Sequence, residues 1–172
     1  MGADAIGLHG STPPPSAGAC VVLRHDLPDG SWHYDLLLEL RPGTRDDRRL
    51  AALRLMPASG PHTITIAPGI EIDHEHDERS TGCRCTRLPD HRGLYLTFEG
   101  SLTGGRGRVR RVAQGACLVK RCNAEIILAR IDLGEGWRSL HARRVHADAA
   151  AAQNRGRESE YDMLVTLDTA PG

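Results

Sequence analysis

His33 and Asp35 stand two residues apart in the run Trp32-His33-Tyr34-Asp35. On a β-strand, residues at i and i+2 share a face. The imidazole and the carboxylate then lie side by side, with Leu37 next on that face and Trp32, Tyr34, Leu36 and Leu38 on the other. An imidazole and a carboxylate fixed on a rigid strand form half of a divalent-metal site. The preceding apolar run reaches the same region through Pro28, Asp29 and Gly30, which are turn residues. A hairpin there brings His25 alongside as a third ligand. Two histidines and a carboxylate suit Mn, Fe or Zn and leave positions open for water or substrate. Taken alone, the H-x-D pair also fits a His–Asp hydrogen bond on a half-buried strand.

A second polar cluster is Asp90-His91-Arg92-Gly93-Leu94-Tyr95. His91 and Tyr95 are four apart and share a face of an extended chain, where they could contact a phosphoryl oxygen or protonate a leaving group. Further on, Arg106, Arg108, Arg110 and Arg111 follow a glycine-rich turn. They read either as a basic edge that tracks a nucleic-acid backbone or as charges that guard an edge strand. No aromatic residue interleaves them, as base stacking would require. Asp73-His74-Glu75-His76-Asp77 has a metal-binding composition, but it sits among polar residues and reads as a solvated loop.

The elements that must carry these groups are short. Strands are predicted over 19–24, 32–40, 50–56, 63–67, 94–98, 109–112, 116–119, 125–133 and, as the last, 137–142, with a turn at Gln114-Gly115. Residues 73–87 read as irregular. Short strands separated by turn signals predict an antiparallel barrel or sandwich. Residues 1–17 are rich in Gly, Ser, Ala and Pro and read as a disordered tail. The domain spans 18–146, and 147–172 is expected to hold a short helix over 147–153 and a polar tail.

Composition bounds the rest. A chain of 172 residues fits one domain. Aromatics are 3% of it, so Val, Ile, Leu and Ala must fill the core. Acidic and basic residues balance at 22 each, which excludes a polybasic chain, and Lys120 is the one lysine. The 5 cysteines follow no disulfide or zinc spacing and read as free thiols. No apolar run approaches the ~20 residues of a membrane span, and no secretory leader is evident. The expected location is the cytoplasm.

The order of these pieces carries a resemblance. His25 comes first, then His33-Tyr34-Asp35-Leu36-Leu37-Leu38-Glu39-Leu40, then a short strand ending in Pro57. Asp90-His91 with Tyr95 follows, and then Phe98-Glu99-Gly100 ahead of Gly104, Gly105 and Gly107. From about residue 19 to 143 the chain resembles the 3′-phosphoesterase domain family of bacterial DNA ligase D. It is most similar to the stand-alone, divergent branch, without polymerase or ligase modules.

The resemblance implies a small all-β antiparallel barrel with flexible tails. It implies manganese or a similar divalent metal on the residues matching His25, His33 and Asp35. His91 and Tyr95 would lie on the phosphate side. The implied activity is hydrolysis in DNA repair, removing a 3′-ribonucleotide or 3′-phosphate from a primer strand. The implied partners are DNA or DNA/RNA primer 3′ ends and a separate ligase or polymerase. The family carries a phosphate-gripping arginine where this chain has Leu37, and Arg54 and Arg92 are the candidate substitutes. Two other readings stand beside this one: a nucleic-acid-binding module that kept the fold without turnover, and a phosphoesterase for a smaller substrate.

Overall fold

The computed structural model describes residues 17–76, 81–145 and 163–169. Residues 1–16 of the expected tail over 1–17 and the expected helix over 147–153 lie outside the described residues. The described residues are nearly all β, at 65% strand and 3% helix, and their core is a closed antiparallel barrel of 8 strands.

The barrel strands are β1 (Gly18–Asp26), β2 (Trp32–Glu39), β3 (Arg48–Leu55), β7 (Thr81–Arg92), β9 (Arg108–Cys122), β10 (Ile126–Asp132), β11 (Arg138–Arg144) and β12 (Met163–Thr169). Their order around the wall is β1-β2-β3-β7-β12-β11-β10-β9, and β9 returns to pair with β1. Four short elements sit outside that ring: β4 (Thr63–Ala67), β5 (Ile70–Asp73), β6 (Glu75–His76) and β8 (Gly100–Ser101). The hairpin β4–β5 sends Ile66, Ala67, Ile70 and Ile72 into the same apolar cluster as the barrel interior. It thereby plugs one end.

Alternation shows which walls are covered. β10 alternates buried with half-buried residues, as a strand with one face to solvent does. β1, β2 and β3 instead carry unbroken buried runs: Val21-Val22-Leu23, Leu36-Leu37-Leu38 and Leu50-Ala51-Ala52-Leu53. Their inward residues join the barrel core. Their outward residues Val21, Leu23, Leu37, Leu50 and Ala52 form a second cluster with Val109. Tyr95, Leu96, Phe98 and Leu102 pack over it from outside. The covering segment begins as a 3-10 helix, Gly93–Leu96. It is held by backbone bonds from Gly93 to the Asp47 carbonyl (2.9 Å) and from Leu94 to that of Arg45 (2.7 Å).

Four sequence expectations are corrected. Residues 94–98 are not a strand, because those two backbone bonds fold Gly93–Leu96 into a helical turn. Of the stretch 73–87 read as irregular, residues 81–87 belong to β7 (Thr81–Arg92), with Cys83 and Cys85 buried inward. Gln114-Gly115 is no turn: β9 runs straight through it. A Cβ on Gly115 would lie 1.8 Å from the Asp132 carbonyl oxygen, so glycine serves close strand approach there. The strand over 138–144 is not the last, since β12 fills the gap between β11 and β7.

All five cysteines are free thiols, and four of them are buried. Burial pushes Cys83 up to about 12 and also raises the half-buried Cys122. A thiol-reactive dye near neutral pH is expected to label the native protein at Cys122 alone, and slowly, and the denatured chain at all five. Fast labelling of a second native thiol would contradict this packing.

Candidate metal centre

The hairpin between β1 and β2 sets the site. Its loop closes through Leu27 donating to the Ser31 carbonyl (2.8 Å) and Gly30 donating to that of Leu27 (3.1 Å). Asp29 Oδ1 also accepts the Ser31 amide at 2.9 Å. This closure puts His25 directly opposite His33, and Leu23 opposite Asp35. Directly paired residues share a face. His25, His33 and Asp35 therefore meet on the outer face of the wall, beside the second apolar cluster.

Their ligand atoms all lie within 4.8 Å of one another. His25 Nδ1 is 3.7 Å from Asp35 Oδ2, and His33 Nε2 is 3.4 Å from Asp35 Oδ1. These gaps are long for charge-assisted hydrogen bonds. They approach the roughly 3.0–3.4 Å between donors that share one ion at about 2.1 Å. The two imidazoles meet at 4.8 Å between centroids, inclined by 68°.

Two further features fit a cation. His33 Nε2 and Asp35 Oδ1 are buried and have no hydrogen-bond partner. Buried polar atoms are almost always paired, so two orphans facing each other call for a common third party. His25 Nε2 lies 2.7 Å from the Arg106 carbonyl oxygen. A carbonyl only accepts, so Nε2 carries the proton and Nδ1 keeps its lone pair toward Asp35. A metal-binding histidine is ordinarily held by such a bond from its other nitrogen.

The electrostatics agree with this arrangement. Burial alone would push the Asp35 carboxyl up, but the approach of His25 and then His33 outweighs it and holds the group at about 2. The site thus keeps its negative charge. Asp35 draws His25 upward, aided by the Arg106 carbonyl, while burial and the Arg54 charge oppose the rise. Arg54 is the direct partner of Asp35 on β3. It therefore stands beside the trio.

The other candidates are dispersed. Arg92 pairs with Arg48 at the far end of β3, six residues from Arg54 and on the order of 20 Å along the strand. It is not brought to the site. His91 pairs with Leu50 on β3, on the order of 13 Å from the Arg54 position. It meets Tyr95 at 5.4 Å between centroids, across the helical turn rather than along an extended chain. Among the described residues no hydrogen bond, ion pair or ring contact joins His91 or Tyr95 to the trio.

The four arginines of the glycine turn also separate. Arg106 bonds back to the Thr103 carbonyl at 2.9 Å. Arg111 donates from Nη1 to the Leu96 carbonyl at 2.9 Å, pinning the covering segment to β9. Arg108 and Arg110 remain exposed on alternate positions of β9.

The turn's contribution to the site is one that the residue pattern did not disclose: the Arg106 carbonyl that orients His25. Its signal is Gly107, which has φ +93° and would place a Cβ 2.0 Å from the Asp26 carbonyl oxygen. Only glycine lets the turn press onto the end of β1. Gly107→Ala is expected to lift Arg106 away from His25 and weaken Mn²⁺ binding by about 10- to 100-fold, the usual effect of losing such support. Competition with a metal-sensitive dye checks this, and unchanged affinity would deny the carbonyl its role.

No family model matches the chain, and no curated protein matches it.

Proposed function

We propose that the protein is a metal-dependent phosphoesterase that processes 3′ ends in DNA repair, removing a 3′-ribonucleotide or a 3′-phosphate. The observation that carries this reading is the convergence of His25, His33 and Asp35 with two buried, unpartnered polar atoms between them. Manganese or a similar divalent ion held there would supply Lewis-acid polarisation of a phosphoryl oxygen. The Arg106 carbonyl holds the His25 ring in the tautomer that leaves Nδ1 free. Asp35, kept ionised, supplies the negative charge that retains a cation. Arg54 offers a guanidinium beside the trio for the charge that builds on the phosphoryl oxygens. In the net reaction the oxygen of water bonds to phosphorus and the bond from phosphorus to the 3′ oxygen breaks. The 3′ oxygen leaves as a hydroxyl. The cytoplasm, where five thiols stay reduced, is the compartment that suits this reading.

Arg54→Ala is expected to lower kcat about a hundredfold, the scale of one lost electrostatic stabiliser. Stabilisation of the folded protein by Mn²⁺ should survive in that variant. A kcat equal to that of the wild type would remove Arg54 from the phosphate side.

One observation favours a second reading, a nucleic-acid-binding module without turnover. Leu37 is fully buried under the covering segment, so the position of the family arginine holds no cation. The deciding experiment is a primer-template ending in one ribonucleotide or a 3′-phosphate, incubated with Mn²⁺, Mg²⁺, Zn²⁺ or EDTA. Metal-dependent release of a 3′-hydroxyl end supports the enzyme. Intact binding without turnover under every metal supports the module, and turnover of small phosphodiesters alone would move the substrate away from nucleic acid.

A further inference from the structure

Beyond the last residue that pairs with β10, strand β9 continues alongside β1, and its Arg108 and Val109 pair on the other edge with Ser101 and Gly100 of β8. With β1 and β2 this part of β9 forms a lip whose outer face carries the metal trio. The opposite face of that lip has its own pattern. Asp26 pairs with both Trp32 and Arg108, and Arg24 pairs with both Tyr34 and Arg110. Since paired residues share a face, two rows lie side by side: Arg108, Asp26, Trp32 and Arg110, Arg24, Tyr34.

The two rows are in contact with each other. The Arg24 guanidinium lies over the Trp32 ring, 4.0 Å from its centroid. Trp32 meets Tyr34 edge-on at 5.1 Å and 83°. Arg24 Nε also donates to Asp26 Oδ1 at 2.7 Å. Trp32 and Tyr34 are half-buried, and Arg108 and Arg110 are exposed. The chain holds two tryptophans and three tyrosines in all, so one of each on a single small face is a concentration. The arginine-rich turn has no aromatic neighbours in sequence, and strand pairing supplies them from β2.

We propose that this face is a stacking platform for single-stranded nucleic acid, with bases against Trp32 and Tyr34 and phosphates against Arg108 and Arg110. Aromatic faces beside spaced cations are what unpaired bases on a phosphate backbone require. A duplex hides its base faces and has no use for the rings. Three guanidiniums against the one carboxylate of Asp26 leave the face net positive, which suits a polyanion. The platform lies back to back with the metal trio across one sheet, so a strand folded over the lip reaches both. The inference shares the nucleic-acid partner of the reading above but needs none of its metal chemistry.

The test is therefore run in EDTA. Trp137→Phe leaves Trp32 as the only tryptophan and the reporter. Titration with an oligothymidylate at roughly 50 mM salt should quench its fluorescence, and binding should fall steeply as salt rises. In the wild-type background, Trp32→Ala is expected to weaken binding by about 5- to 100-fold, with Trp32→Phe restoring most of it. Arg108→Ala and Arg110→Ala should each lower the salt slope by about one.

Equal affinity for an abasic strand or a blunt duplex of the same length would overturn the proposal. So would binding without a quench, or no binding at all. If Trp32→Ala does not fold, the quench in Trp137→Phe still decides. A quench with no metal-dependent 3′-end turnover would fail the catalytic reading and leave the platform standing.

Discussion

His33→Ala is expected to lower metal-dependent turnover by about a thousandfold, since metal polarisation supplies several kcal/mol at about 1.4 kcal/mol per decade. The residue is 3% exposed, and its Nε2 faces only Asp35 across 3.4 Å. Without it, one histidine and one carboxylate remain, too few to hold a divalent ion against water. A second readout separates this from general damage. For the wild-type protein, Mn²⁺ at a hundred times its Kd should add about 2.7 kcal/mol of stability, or roughly 5–10 °C in Tm at this chain length. In His33→Ala that increment should vanish while the metal-free protein still melts cooperatively. Metal-dependent turnover or stabilisation that persists in the variant would place the ion elsewhere.

Leu37→Arg is expected to unfold the outer wall rather than restore a phosphate grip. Leu37 is fully buried among Val21, Leu23, Leu50, Ala52 and Val109, beneath Tyr95, Leu96 and Phe98. The substitution removes an apolar side chain worth roughly 1.5–3 kcal/mol. It also confines a guanidinium among apolar side chains, which adds several kcal/mol more. Together these should lower Tm by about 10 °C or more. Thermal melts of Leu37→Arg beside Leu37→Met, which conserves volume, make the comparison. An arginine variant as stable as the methionine one would mean that the covering segment opens easily and that the position is accessible to phosphate.

The trio was legible because period two is a hard geometric rule. His33 and Asp35 must share a face on any strand, and the turn residues Asp29 and Gly30 announce the return to His25. Short apolar runs between turn residues were enough to indicate an antiparallel barrel or sandwich, and the resemblance chose the barrel. What stayed hidden depends on tertiary contact. Leu94-Tyr95-Leu96 has strand-like residues, yet carbonyls of the 41–47 loop wind it into a helical turn. Cys83 and Cys85 were masked by Gly82, Arg84 and Thr86, which occupy the alternate positions of β7. Gly115 looks like a turn residue when its neighbour Asp132 is unknown. Met163, Leu164, Val165 and Leu167 form an apolar run that reads as a strand only once a gap in the wall awaits it.

That last strand sets the tempo of folding. β12 lies between β7 and β11, so two edges of the sheet stay unpaired until residue 169 has been synthesised and has threaded between them. The β1–β9 seam likewise joins segments distant in sequence, pairing Gly18 with Cys117. Contacts this distant in sequence make for slow closure, and open strand edges invite pairing between chains. The nascent chain therefore passes through a curled but unsealed sheet, and its window of vulnerability to aggregation closes only when Met163–Thr169 is seated.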